Sequence, residues 1–88
     1  MKTEFTNRFY KDIEKLTVQS VKDDIADAIE NVELATKISE IRKIKKLKGY
    51  SFCYRIRIGN YRIGVFIEND VVEFARVAHR KDLYSTFP

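Results

Sequence analysis

From Arg42 to Arg62 the chain carries eight lysines or arginines and no acid. Within that run, Arg55, Arg57 and Arg62 flank Gly59-Asn60, a two-residue turn signal between segments of alternating apolar residues. If those two residues are the whole loop, Ile58 pairs with Tyr61, Arg57 with Arg62 and Ile56 with Ile63. Strand side chains alternate between faces, so Ile56, Ile58, Ile63, Val65 and Ile67 share one face. Arg55, Arg57 and Arg62 take the other, uncovered face. Arg57 and Arg62 then stand directly opposite each other. Like charges opposed in this way destabilise a sheet by about 0.2 to 1 kcal/mol, a cost that selection for stability alone does not explain. Guanidiniums are planar and permanently charged, and three on one open face make a phosphate-binding surface. The alternative is an ordinary ion pair, with Glu73 on the last strand neutralising one of them.

Proton chemistry has fewer candidates. His79 is the one histidine, and an imidazole with a pKa near ~6.5 can give or take a proton at neutral pH. Cys53 lies beside Tyr54 in an alternating segment and reads as packing rather than as a nucleophile. There is no phosphate-loop glycine motif, no His/Cys metal spacing and no serine in a nucleophile elbow.

The elements that must position these residues follow from periodicity. Lys2 to Phe5 reads as a short strand, with Asn7 as the N-cap of a following helix. Phe9, Ile13 and Leu16 recur at helical spacing. After a Leu16–Thr17 turn, Val18, Val21, Ile25, Ala28, Ile29 and Val32 form the apolar stripe of a second helix, with Lys22, Asp23, Asp24, Asp27 and Glu30 on its other face. Ile38, Ile41 and Ile44 suit a helical turn, but Thr36 to Lys46 reads equally well as a strand or loop. Beyond Gly49 the period changes to two, through Cys53–Ile58, Tyr61–Glu68 and Val71–Ala78, with Asn69-Asp70 as the second turn. The expected fold is α+β over one domain, residues 1–88: an N-terminal strand, a helical hairpin and a three-stranded antiparallel meander, helices packed on one face. If Asn69 and Asp70 are the whole second loop, Ala75, Val77 and His79 share the arginine face while Val72 and Phe74 face the core. A longer loop reverses that assignment.

Charge is divided along the chain. Residues 1–40 hold nine acids and six bases, and residues 41–88 four acids and eleven bases, so the halves carry −3 and +7. That asymmetry points to an anionic partner, nucleic acid first, although a solvated basic surface would look the same. A lone cysteine suits a reducing compartment. No stretch approaches the roughly 18 apolar residues of a membrane span, and the first residues lack the apolar run of a signal peptide. The expected location is the cytoplasm, with no membrane partner.

Three segments together resemble a known family. Lys46-Leu47-Lys48-Gly49, then Cys53 through Ile63, then Val77-Ala78-His79-Arg80-Lys81-Asp82-Leu83-Tyr84 are similar to successive signatures of the RelE/ParE toxin superfamily of type II toxin–antitoxin systems. Element order and length fit as well. The RelE-like branch, which these motifs resemble most, cuts messenger RNA in the ribosomal decoding site. The ParE-like branch shares the fold, lacks the catalytic set and poisons DNA gyrase.

The resemblance implies roles. Arg55 and Arg57 fall on the family's two basic strand positions, Arg62 on its phosphate-binding arginine, Arg80 on its C-terminal arginine and Tyr84 on its near-terminal tyrosine. His79 matches a histidine found in many relatives. The founding RelE branch has lysines where this chain has Arg55 and Arg57. Arginine keeps its proton, so neither can serve as general base, and the burden shifts to His79. Tyr84 would stack on the target base or share in proton transfer, or simply pack the C-terminus. Arg57 and Arg62 would stabilise the transition state. Lys43, Lys45, Lys46 and Lys48 would contact the RNA backbone. The implied activity is a cofactor-free, metal-independent endoribonuclease that inhibits translation by 2′-OH attack. Its implied partners are mRNA, the ribosome and a cognate antitoxin, with operator DNA reached only through the antitoxin. The alternatives are a gyrase poison of the ParE kind and an inactive toxin acting as an antitoxin-bound co-repressor.

Overall fold

A computed structural model describes residues 1–88 and bears out the expected α+β order. Strand β1 (Lys2–Phe5) leads into helices α1 (Asn7–Glu14) and α2 (Gln19–Leu34). Strands β2 (Ile44–Lys46), β3 (Cys53–Ile58), β4 (Tyr61–Glu68) and β5 (Val71–His79) follow, then a single helical turn, α3 (Leu83–Thr86). The ambiguous segment contains both of its readings, a 3-10 turn at Ile38–Glu40 and then β2. The sheet order is β1-β5-β4-β3-β2. β2 to β5 run antiparallel, and β1 lies parallel to β5.

Thr6, not Asn7, caps α1. Its backbone is still extended, and Oγ1 accepts from the Phe9 N–H at 3.1 Å. The same hydroxyl donates to the Ala75 carbonyl at 2.9 Å, so one group closes the helix start and ties it to β5. Along α2, Ile25 and Val32 are buried and Val21, Ala28 and Ile29 half-buried, as the apolar stripe requires. Val18 falls outside it, exposed at the N-cap. The main core joins Phe9, Ile25 and Val32 to Ile56, Ile63, Val65, Ile67, Val72, Phe74 and Val77 of the sheet. Each large side chain fully buried there contributes about 1.5 to 3 kcal/mol of transfer free energy.

Both hairpin loops have two residues. Gly59 adopts φ 59° and Asn60 does not, a type II′ turn whose first position needs the glycine. Asn69 and Asp70 have φ 54° and 62°, a type I′ turn. The first hairpin pairs Ile58 with Tyr61, Arg57 with Arg62 and Ile56 with Ile63, the expected register.

The second hairpin starts in the expected register and then departs from it. Val65 pairs with Phe74 but Gly64 with Arg76, leaving Ala75 as an unpaired extra residue on β5. Such a β-bulge inverts the facing of every later residue on its strand. Val77 therefore enters the main core, and His79 comes opposite Tyr61, on the helix-covered face. Of Ala75, Val77 and His79, only Ala75 lies on the far face; the expectation for the other two is overturned.

The far face is also less open than expected. The chain beyond β5 folds back across it, and Leu47, Cys53, Ala75, Leu83 and Phe87 form a second cluster with Phe66 and Ala78. Gly64 permits this closure, because a Cβ there would lie 2.6 Å from Cγ of Phe87. The edge of β5 beyond β1 is closed by α1. Asp12 accepts from the Val77 N–H at 2.9 Å and from Arg76 Nε and Nη2 at 2.8 and 3.2 Å. These bonds, with that of Thr6 to the Ala75 carbonyl, occupy part of an edge that would otherwise be a template for pairing with another chain.

Candidate functional site

The open part of the far face lies over β2, β3 and the start of β4. Lys45 pairs with Arg55, and Arg55 with Gly64; one pleat further along, Arg57 pairs with Arg62, and Arg62 with Ala78. Pairing across neighbouring strands puts Lys45, Arg55, Arg57 and Arg62 on the face opposite the main core, with Arg57 also bordering a cleft beside α2. The hairpin supplies this because its register depends only on the two-residue turn.

Arg62 is the centre of the group. It is half-buried, and Nη1 donates to the carbonyls of Gly59 and Tyr61, both at 2.9 Å. Its guanidinium is pushed below its ordinary value, first by burial and then by the neighbouring charges of Arg55, Arg57 and Arg80, while Tyr84 acts in the opposite sense. Arg80 and Tyr84, from the turn after β5, thus come within electrostatic reach of the strand arginines. Arg80 is anchored there by its N–H, which donates to the Asn60 carbonyl at 2.8 Å. Arg55 is held by a 3.0 Å bond from Nη1 to the carbonyl of Lys43, a residue in the left-handed region at φ 60°.

No acid forms an ion pair with this cluster, although Asp24 and Asp27 line the cleft that Arg57 borders. The one ion pair of the chain joins Arg76 to Asp12. Glu73 sits across from Phe66 and beside Glu4, so its pairing with an arginine of the site does not occur. Four guanidiniums without an ion-paired carboxylate repel one another, and a bound anion would relieve that repulsion.

His79 is not brought to this face. Its ring meets Tyr61 edge-on with centroids 5.6 Å apart, and Nδ1 accepts from the Lys81 N–H at 3.3 Å. The expectation that it stands beside the arginines fails because the bulge at Ala75 changes its side of the sheet. Cys53 is buried, and burial pushes its thiol up, which suits packing and not nucleophilic attack. No three His, Cys, Asp or Glu side chains converge as a metal-binding set, and no helix is long and apolar enough to cross a membrane.

The lysines border the same surface. Lys45, Lys46 and Lys48 line a cavity between the β2–β3 loop and the C-terminal segment that also takes in Tyr84. Lys43 lies instead by a cleft beside α2, with Arg42, Arg57 and Asp27. The sequence reading passed over two residues. Tyr50 also lines the cavity, and its signal was an aromatic two places after a run of lysines. Arg76 gave no local signal, since its partner Asp12 is 64 positions away.

The sequence model describing the ParE toxin of the type II toxin–antitoxin system, parDE, matches residues 3–84. The chain belongs to the RelE/ParE toxin superfamily. Over 89 residues this toxin-family chain is 40% identical to Toxin RelE3 of Methanocaldococcus jannaschii, covering 100% of both proteins. Its fold matches a chain in the crystal structure of the RelB-RelE antitoxin-toxin complex from Methanococcus jannaschii. That match has a TM-score of 0.80 and 38% identity over 97% of this chain and 99% of the other. The isolated E. coli RelE toxin shares the fold at 22% identity and a TM-score of 0.65, covering 89% of this chain and 82% of that one. In this superfamily member Arg55, Arg57, Arg80 and Tyr84 all lie within electrostatic reach of Arg62. That arrangement can bind a phosphodiester and stabilise extra negative charge on it, with a phenol nearby.

Proposed function

We propose that this toxin is a metal-independent endoribonuclease that cuts mRNA on the ribosome and so stops translation. The observation that carries the reading is the cluster of four arginines with no ion-paired acid, centred on Arg62 and joined by Tyr84. The 2′-oxygen of the target nucleotide attacks the adjoining phosphorus as it loses its proton. The bond from phosphorus to the 5′-oxygen breaks, and that oxygen takes up a proton. The products are a 2′,3′-cyclic phosphate and a 5′-hydroxyl end. Arg57 and Arg62 hold the scissile phosphate and stabilise the dianionic transition state, while Arg55 and Arg80 hold its neighbours. Arginine cannot exchange the proton, and His79 stands on the other side of the sheet, so the transfer falls to Tyr84. As phenolate it takes the 2′-proton, and as the resulting phenol it gives that proton to the 5′-oxygen.

The regulator is a cognate antitoxin, by analogy with the RelB-RelE complex from Methanococcus jannaschii. An acidic helix or extended segment laid over the basic face would neutralise it, and the neighbouring gene should encode one. In a translating extract the purified chain should cut mRNA, with new 5′-hydroxyl ends on mapping. Arg62→Ala should slow cutting by about 10²-fold or more, the usual cost of losing a transition-state donor. Undiminished cutting by that variant would sink the mechanism. A gyrase-directed toxin is the second reading, because the matching family description is that of ParE. Inhibition of DNA supercoiling with mRNA left intact would favour it.

A further inference from the structure

We propose that the cavity between the β2–β3 loop and the C-terminal segment is a nucleobase pocket, in which Tyr50 stacks on the base next to the cleaved phosphate and sets nucleotide preference. This rests on the ribonuclease reading above. The cavity has a volume of about 540 Å³ and is lined by Lys45, Lys46, Lys48, Tyr50, Tyr84 and Phe87, with no acid among its lining residues. It adjoins the arginine cluster through two shared points. Tyr84 lines the cavity and also acts on the Arg62 charge, and Lys45 stands directly across from Arg55.

The two tyrosines are exposed where most aromatics of the chain are packed. Tyr50 is 51% and Tyr84 65% accessible. The aromatic contacts of the molecule involve Phe5, Phe9, Tyr10, Phe74, Tyr61, His79, Phe66 and Phe87, and neither of these two rings. Neither phenol forms an internal hydrogen bond either, so nothing within the fold accounts for their position. The loop that presents Tyr50 is nonetheless well anchored. Gly49 makes the bend at φ 86°, and the Tyr50 N–H donates to the Leu47 carbonyl at 3.3 Å. Leu47 is itself buried in the second cluster, with its N–H bonded to the Cys53 carbonyl at 2.8 Å. Open aromatic faces on a fixed frame, ringed by lysines and continuous with a phosphate site, are the features by which single-stranded nucleic acid is held, one base per ring.

The test compares short single-stranded RNAs, a trinucleotide and the same trinucleotide with its middle base removed, by fluorescence anisotropy with the full chain. Wild type should bind the intact RNA about 5- to 150-fold more tightly, the range that stacking of one base confers. Tyr50→Ala should erase that difference and Tyr50→Phe should keep it, whereas Arg62→Ala should weaken both RNAs alike. Equal binding of the two RNAs by wild type, or discrimination retained in Tyr50→Ala, overturns the proposal. So does a Tyr50→Ala variant that binds RNA normally but loses its antitoxin, since the pocket would then belong to that partner. Mapping cut sites in a translating extract separates this inference from the reading beneath it. A flattened nucleotide preference in Tyr50→Ala supports the pocket. Base discrimination without any cleavage leaves the pocket standing and removes the ribonuclease reading.

Discussion

Replacing Arg57 with glutamine should make the protein more stable and less able to bind RNA. Arg57 lies directly across from Arg62, is exposed, and makes no side-chain hydrogen bond or ion pair. Removing its charge therefore forfeits no contact and relieves a like-charge pair worth about 0.2 to 1 kcal/mol. For a domain of this size each kcal/mol shifts the midpoint by about 4 to 8 °C, so Tm should rise by about 1 to 8 °C. The gain is electrostatic and should fade at about 1 M salt, where the screening length is near 3 Å. RNA affinity should fall at the same time. If Arg57 neutralises one phosphate, the slope of log affinity against log salt should drop by about 0.7, the value for a single strand. Thermal melts at low and high salt and anisotropy titrations over a salt series measure all three quantities. A variant that melts lower than wild type, or gains stability equally at both salts, would refute the view that these arginines stand opposed for an external anion.

Gly64→Ala should cost about 1 to 3 kcal/mol, the usual penalty for overpacking, because its Cβ would meet the Phe87 ring at 2.6 Å. Adding Phe87→Ala should remove the interaction in a double-mutant cycle read by urea unfolding, and additivity of the two would count against the contact. Asp12→Asn should lose about 1 to 3 kcal/mol through the half-broken Arg76 pair and the weakened Val77 bond, with faster amide exchange at Val77 as its local signature. In the cleavage assay Tyr84→Phe should lose at least about tenfold in rate while His79→Ala stays near wild type. The reverse order would return proton transfer to the imidazole.

The core hairpin was legible in sequence because its determinants are local. An alternating run on each side of Gly59-Asn60 admits one register, and that register alone puts Arg55, Arg57 and Arg62 together. The apolar stripe of α2 was legible for the same reason, save at Val18, where the helix had not yet begun. The cap at Thr6 was misread by one residue because its choice depends on the Ala75 carbonyl, 69 positions away. The Thr36–Lys46 segment changes conformation halfway, and no single period can describe it.

Sequence by itself determined which face of the first hairpin is charged, since side-chain alternation and a two-residue turn involve only neighbours along the chain. Only the tertiary structure decided what else joins that face. The extra residue at Ala75 carries His79 to the helix-covered side, away from the arginines, although nothing in the composition of β5 announces a bulge. The fold-back of Leu83–Phe87 over Gly64 brings Tyr84 to Arg62 and opens a cavity beside Tyr50. Both outcomes rest on packing between distant segments, where shape and hydrogen-bond satisfaction select among registers that the local pattern leaves equivalent.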